Sequence, residues 1–329
     1  MNRAKAIPVL LAAMLSGIAG PASRAAAAPA PVATEIETPA ISATLYYPAG
    51  SAQKRPAILV LGGSDGGRAW ASEMARSLAD GGYVALALTY FGGTGDGLSQ
   101  QLVAVPVERL RAGLDRLTLD PRVDTDRIGV IGFSKGAEAA LLLASIDRRI
   151  AAVVAASPSD RLWQGIDRRG GAPASSWSIA GAPLAYVPFA LCDHCSALVD
   201  LYRHSRDRAA PDTGRIDVED FRGALLMLVS EADKIWPSAQ MARALEQALI
   251  VRPSSAGVAI HQFPDAGHFL LHGKVPTAKG AAGLAAFGGG TAAGLIAAHP
   301  ETRLVVSKFL ESALGSLPTP PDDPLASAR

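Results

Sequence analysis

Short, nearly continuous apolar runs alternate along this chain with longer segments of helical spacing. The runs are Ala57–Leu61, Tyr83–Thr89, Ile128–Ile131, Ile150–Ala156, Ala224–Val229 and Gly257–Phe263. Most lack the in–out alternation of a half-solvated strand, so they predict strands covered on both faces. Between them, Ala69–Asp80, Val107–Leu117, Lys135–Ile146, Pro237–Ala248 and Glu301–Leu314 predict helices. Pro237 stands where a first helical residue would, and Asp80-Gly81-Gly82 is a stop signal. Strand and helix in regular alternation imply an α/β fold with a mostly parallel central sheet flanked by helices. Upstream, Ala40–Tyr47 alternates enough for one or two edge strands, and Ala28–Thr38 is a Pro/Ala linker without periodicity. No internal repeat is visible.

The alternation breaks over residues 157–222, a polar, Gly/Pro-rich insertion holding Trp163, Trp177, Tyr186, Phe189 and both cysteines. An insertion of this length predicts a lid or cap over the C-terminal edge of the sheet. A second irregular segment, Gly273–Gly294, is rich in Gly and Ala, and the Pro-rich tail from Leu317 is expected to be disordered. The main domain is thus expected over residues 39–316.

Composition adds limits. The chain has 329 residues, 49% of them hydrophobic, enough for one large core. Its 31 basic and 30 acidic residues are interspersed, leaving no basic stripe for nucleic acid and no acidic tail. Beyond the N-terminus no stretch approaches the roughly 20 apolar residues of a membrane span. The N-terminus itself pairs Arg3 and Lys5 with the apolar run Ala6–Gly20 and small residues through Ala28. This predicts a secretory signal peptide over residues 1–27 with an A-x-A cleavage site near Ala27, and hence export to a periplasm or the medium. A membrane anchor is the alternative, disfavoured by the short apolar region and by Gly17, Gly20 and Pro21. Cys192 and Cys195 are the two cysteines, and in an exported protein they are expected to form a disulfide. Free thiols, a metal site or a redox role are the alternatives; a metal site wants four ligands, and beside the cysteines only His194 and at most Asp193 are at hand.

Candidate chemistry centres on Gly132-Phe133-Ser134-Lys135-Gly136, where an apolar strand runs into an Ala/Leu-rich helix. That is the setting of a G-x-S-x-G nucleophile elbow, with Ser134 as nucleophile. Gly62-Gly63-Ser64-Asp65-Gly66 fits the same formula, but poor helix formers follow it, so its expected role is an oxyanion loop. The backbone N–H groups of Ser64 and Lys135 are the candidate oxyanion donors. An ordinary tight turn between strand and helix is the alternative for the Ser64 loop. Serine needs a histidine base and an acid to orient it. Asp233, between the strand ending at Val229 and the helix after Pro237, is the candidate acid; Glu231 and Asp160 are the alternatives, and helix capping is the non-catalytic role for Asp233. His268, in the loop after the last strand, is the candidate base. His272 is its nearest rival, ahead of His261, His194, His204 and His299. The chain order Ser134, Asp233, His268 is that of an α/β-hydrolase.

With these residues placed, the chain resembles the C-terminal domain of the acyl-CoA thioesterase / bile acid-CoA:amino acid N-acyltransferase family. The similar stretches are Gly62–Gly67, Gly132–Glu138, Ser157–Gly165, Ser175–Trp177, Pro183–Pro188, Ile216–Glu219, Glu231–Ser238 and Ala266–His268. The Lys after the nucleophile and the Asp-x-x-Trp-Pro-Ser block are its most specific features. The resemblance implies an α/β-hydrolase fold, a Ser/Cys-His-Asp triad and an acyl-thioester substrate. Eukaryotic members carry an N-terminal β-sandwich, for which the residues before Arg55 are too few. The acyltransferases of the family use cysteine; serine here favours hydrolysis over transfer.

The expectation is an exported serine hydrolase of a small-molecule acyl ester or thioester, needing no cofactor and no metal, with no nucleic-acid partner and no stable membrane span. Acyl-CoA is cytosolic, so export points to another ester or thioester as the natural substrate. Trp163, Trp177 and Tyr186 are candidate acyl-pocket residues, with core packing as their alternative. An acyltransferase, a peptidase of the same fold and a binding protein on a hydrolase scaffold are the competing functions.

Overall fold

The computed structural model describes residues 29–50, 53–95, 97–251 and 257–317. The expected signal peptide and residues 318–329 of the expected tail lie outside the described residues. Eight strands form the main sheet. The first three are β1 (Val32–Glu37), β2 (Ser42–Tyr47) and β3 (Arg55–Leu61). After helix α1 (Ala69–Asp80) come β4 (Val84–Thr89), the two-residue β5 (Val105–Pro106), helix α2 (Val107–Thr118), β6 (Val123–Phe133), helix α3 (Lys135–Ile146) and β7 (Ile150–Ala156). The insertion carries β8 (Trp177–Ile179), β9 (Ala182–Pro183) and helix α4 (Leu198–Arg208). The chain then returns through β10 (Ala224–Val229), α5 (Ser238–Val251), β11 (Val258–Gln262), α6 (Ala278–Gly288) and α7 (Ala292–Leu314).

The sheet order is β1-β2-β4-β3-β6-β7-β10-β11. β1, β2 and β4 pair antiparallel, and the ladders from β4 to β11 are parallel. Both faces are covered, as the continuous apolar strands require. Leu110 and Leu114 of α2, Leu141 and Leu143 of α3 and Leu245 and Leu249 of α5 fill one side. Met74 and Leu78 of α1 and Val306, Leu310 and Leu314 of α7 fill the other. The chain leaves β3 for β4 on one side, then crosses back over β3 to reach β6. The strand order therefore reverses between β3 and β6, and a crevice opens at their C-terminal ends, where open α/β sheets bind ligands.

Three expectations need correction. Ala28–Thr38 is not all linker, since it contains β1. This edge strand is largely exposed and needs no apolar face; it is held by its ladder with β2 and by Arg68 ion-paired to Glu35 and Glu37. Gly273–Gly294 is not irregular: it contains α6 and the start of α7. Its glycines masked helices that Ala content and the Thr277 and Thr291 side-chain caps support. Helix α7 also runs through Pro300, although a proline removes one intrahelical bond, so the Pro-Glu boundary expected there is absent. No helix among the described residues is long and apolar enough to cross a membrane.

Candidate active site

Strand β6 delivers Ser134 at a backbone bend of φ 54° and ψ −120°, a left-handed value rare for a residue with a Cβ. The bend is held because strand and helix close on each other across two glycines. A Cβ on Gly132 would sit 2.1 Å from the Gly136 carbonyl oxygen, and one on Gly136 would sit 2.1 Å from that of Leu61. The Ser134 N–H donates to Ala156 O at 2.9 Å, tying the bend to β7. Ser64, the other formula match, shows no such bend and precedes a loop rather than a helix.

Three side chains meet at the crevice. Ser134 Oγ lies 2.8 Å from His268 Nε2, and His268 Nδ1 lies 2.9 Å from Asp233 Oδ2. An ionised carboxylate only accepts, so Nδ1–H donates to Asp233 and Nε2 is left to accept from the Ser134 hydroxyl. All three residues are buried. Asp233 Oδ1 also accepts from the backbone N–H groups of Ile235 and Trp236, and Oδ2 accepts from Ser238 Oγ at 2.7 Å. Four donors, the His268 ring among them, therefore hold that carboxylate in one orientation. Phe133, Trp236 and Phe269 pack around the His268 ring with centroids 5.3–5.7 Å away.

The competing residues are engaged elsewhere. Glu231 pairs with Arg243 on the surface, and Asp160 is bound by Arg206. His261 pairs with Glu301 at 2.8 Å. His272 lines the cleft, but no hydrogen bond joins it to Ser134, and burial holds its imidazole below its ordinary pKa. His299 is buried on α7, and His194 and His204 face each other on the insertion.

Residues that the sequence offered without a role complete the site. The backbone turn Gly288-Gly289-Gly290 clamps the Asp233 and His268 loops together. The N–H groups of His268 and Lys234 both donate to Gly288 O, and Asp233 bridges to Gly289. Gly289 has φ +85°, and a Cβ there would lie 1.9 Å from Ala232 O. Ser157 Oγ donates to His268 O, and Ser230 Oγ accepts from the N–H groups of Ala232 and Gly267. Single serines and a Gly run carry no chemical signature, so only Ser157 and Ser238, which fall inside the family-like stretches Ser157–Gly165 and Glu231–Ser238, are marked by the sequence.

Ser64 and Lys135 line the same cleft as Ser134 and His268. Among the described residues neither backbone N–H is bonded elsewhere in the chain, which leaves both available to an oxyanion. Tyr90 Oη donates to Gly62 O, and Arg168 Nη2 donates to Ser64 O at 2.8 Å, bracing the Ser64 loop. The Lys135 side chain points away into the protein. Its Nζ donates to Glu138 Oε2 and to Ser176 Oγ, each at 2.9 Å. Glu138 Oε1 accepts in addition from Trp177 Nε1 at 2.8 Å and from the Trp163 N–H at 3.2 Å. Burial pulls the Lys135 pKa down and pushes that of Glu138 up, while their mutual attraction opposes both shifts.

The cleft has a volume of about 590 Å³. Its walls are Trp70, Phe133, Phe269 and Phe287 from the main body and Ile166, Phe189, Leu198, Leu201 and Tyr202 from the insertion. The insertion thus supplies one wall, but through other residues than expected. Trp163 and Trp177 are fully buried, and Tyr186 is packed against the core; none of the three lines the cleft. The two tryptophans serve instead as donors to Glu138. Cys192 and Cys195 are joined in a disulfide on the insertion.

A doubly covered parallel sheet, with Ser134 at a strand-to-helix bend beside the reversal of strand order and Asp233 and His268 on later strand-end loops, has the architecture of an α/β-hydrolase. The chain belongs to a particular family within that class: the model for "BAAT / Acyl-CoA thioester hydrolase C terminal" matches residues 105–315. No curated protein matches the chain. Among solved structures, it is similar to MGS-M1, an alpha/beta hydrolase enzyme from a Medee basin deep-sea metagenome library. The two are 19% identical over 87% of this chain and 99% of that one, with a TM-score of 0.55. The Pyrococcus furiosus esterase Pf2001 is 17% identical over 87% and 93%, with a TM-score of 0.52. The dienelactone hydrolase-like promiscuous phosphotriesterase P91 from metagenomic libraries is 17% identical over 87% and 100%, with a TM-score of 0.53. At these identities the likeness is one of fold.

Proposed function

We propose that this protein is an exported serine hydrolase that cleaves an acyl ester or thioester through Ser134, His268 and Asp233. The continuous hydrogen-bonded line from Ser134 Oγ through His268 to Asp233 carries the proposal. An acyl carbonyl enters the cleft with its chain against the aromatic and aliphatic walls. His268 Nε2 takes the proton from Ser134 Oγ as the oxygen attacks the carbonyl carbon. The imidazolium that forms is stabilised by the ionised Asp233, and the backbone N–H groups of Ser64 and Lys135 hold the oxyanion. Collapse of the tetrahedral intermediate expels the alcohol or thiol, which takes the proton from His268. Water, deprotonated by His268, then attacks the acyl-serine and releases the acid.

The apolar cleft walls favour an apolar acyl group. The family match to the thioester hydrolases supports the acyl-transfer chemistry. Serine as nucleophile supports water over an amine as final acceptor. Export is supported by the signal-peptide pattern of residues 1–27.

A panel of p-nitrophenyl esters, acyl-CoA thioesters and dipeptide amides, run on wild type and Ser134→Ala, tests the chemistry. Turnover of an ester or thioester is expected to fall by roughly 10⁶ in the variant. Undiminished turnover by Ser134→Ala, or failure of the wild type both to turn over the panel and to react with a fluorophosphonate, would overturn it. The mature N-terminus in a periplasmic or culture fraction, expected after about residue 27, tests export.

A further inference from the structure

The disulfide on the insertion sits among groups that the sequence alone does not bring together. Of the two residues between the sulfurs in Cys192-Asp193-His194-Cys195, His194 brings a ligand atom near Cys192 and Asp193 is not in that group, which leaves the stretch one ligand short of a tetrahedral site. The fold supplies the missing group. Helix α4 turns back so that His204 faces His194, with ring centroids 5.5 Å apart. The ligand atoms of Cys192, His194 and His204 all lie within 4.8 Å of one another, and the Cys195 sulfur is bonded to that of Cys192.

The arrangement is held from both ends. Asp200, in the first turn of α4, accepts from Ser196 N, Ser196 Oγ and Ala197 N at 3.0–3.1 Å, fixing the residues that follow Cys195. On the other side of the loop, Ala190 N donates to Ser205 Oγ at 2.9 Å, next to His204. Helix α4 is itself tied to the main body by Val199 N donating to Lys234 O. The cysteine loop is therefore anchored on the same helix that presents His204.

We propose that Cys192, Cys195, His194 and His204 form a zinc site in the dithiol form of the protein, and that the disulfide is its metal-free alternative. Two thiolates and two imidazoles are a donor set that Zn²⁺ binds tetrahedrally. The two states exclude each other, because sulfurs bonded to one another lack the thiolate charge that zinc requires. A small dithiol interconverts them. It gives two electrons and two protons to the Cys192–Cys195 bond, leaving two thiols, and is itself oxidised to a disulfide. Zn²⁺ then displaces the two thiol protons, forming two Zn–S and two Zn–N bonds.

The test uses the full chain, reduced with dithiothreitol and freed of it by anaerobic gel filtration, then titrated with Co²⁺ as a spectroscopic stand-in. Thiolate-to-cobalt charge-transfer absorption and the visible bands of tetrahedral cobalt are expected to saturate at one metal per chain and to be bleached by Zn²⁺. The disulfide form is expected to show neither. His204→Ala and the exposed His194→Ala should each weaken binding by at least about tenfold. Ester hydrolysis by each variant in the disulfide form reports that it has folded. No cobalt bands in the reduced protein would overturn the site. So would bands of equal strength in the disulfide form, or in both folded histidine variants.

Discussion

Removing the Glu138 carboxylate should be among the most damaging single changes outside the triad. Lys135 and Glu138 are 1% and 0% exposed, so neither charge is solvated by water. In Glu138→Leu, Lys135 Nζ keeps only Ser176 as partner, and the Trp177 indole N–H and the Trp163 backbone N–H lose their acceptor. Breaking a buried pair from one side costs about 3–5 kcal/mol. Each orphaned donor would add about 1–3 kcal/mol if the terms summed, which neighbouring sites do not. Lys135 has an outlet, however: burial already pulls its pKa down, so it can shed its proton. That keeps the total near about 3–5 kcal/mol, a large part of the roughly 5–15 kcal/mol that holds a folded domain together. Urea unfolding followed by tryptophan fluorescence reads this directly, since Trp163 and Trp177 are the affected neighbours. The double variant Lys135→Met/Glu138→Leu removes both charges and should recover the part of the loss that comes from the unpaired Lys135, while the Trp163 and Trp177 donors stay orphaned. A loss below about 1 kcal/mol in the single variant, or no recovery in the double, would refute the account of the pair as a mutually dependent buried charge couple.

Ser238→Ala removes one of the four donors to Asp233 while leaving His268 in place; kcat is expected to fall by about tenfold, consistent with a hydrogen bond to a charged group worth about 1.5 kcal/mol, with KM little changed. Gly289→Ala forces a Cβ to 1.9 Å from Ala232 O at a positive φ, and should cost both stability and activity by parting the acid and base loops; thermal unfolding and ester turnover both read it. Asp120 is held below its ordinary pKa chiefly by its hydrogen bonds to Arg122, opposed by burial and reinforced by Arg116. A carboxylate with a lowered folded pKa contributes full stability above its unfolded pKa of about 3.9, and loses it as pH falls through the folded one. The stability gap between wild type and Asp120→Asn, from urea unfolding, should therefore be wide at pH 6 and shrink toward pH 3; a constant gap would exclude the ion pairs as its source.

Structure that depends on local chain chemistry is legible in the sequence. The continuous apolar runs of β3, β4, β7 and β10 specify a buried parallel sheet whatever surrounds them. Ala137–Ala144 after Ser134, against Gly66-Gly67 after Ser64, separates a strand-to-helix elbow from a strand-to-loop turn by helix propensity alone. The order of Ser134, Asp233 and His268 follows from their places at successive strand ends, so the residues later seen in contact were nameable in advance.

What depends on groups distant in the chain was not. Trp163 and Trp177 are large and apolar, which suits a substrate pocket and a core equally, and only their bonds to Glu138 of α3 assign them to the core. Strand β1 has no apolar stripe because an edge strand on a solvated rim draws its stability from ladder bonds and from Arg68, 33 residues away from Glu35. The glycines of 288–290 read as an irregular segment until Ala232 and His268 are packed against them. His204 stands nine residues beyond Cys195, and its meeting with His194 depends on the direction α4 takes over the main body. Periodicity and propensity act within a few residues and are written in the chain itself. The partner of a buried charge, the wall of a cleft and the fourth ligand of a site exist only once the fold has brought separate segments within bonding distance.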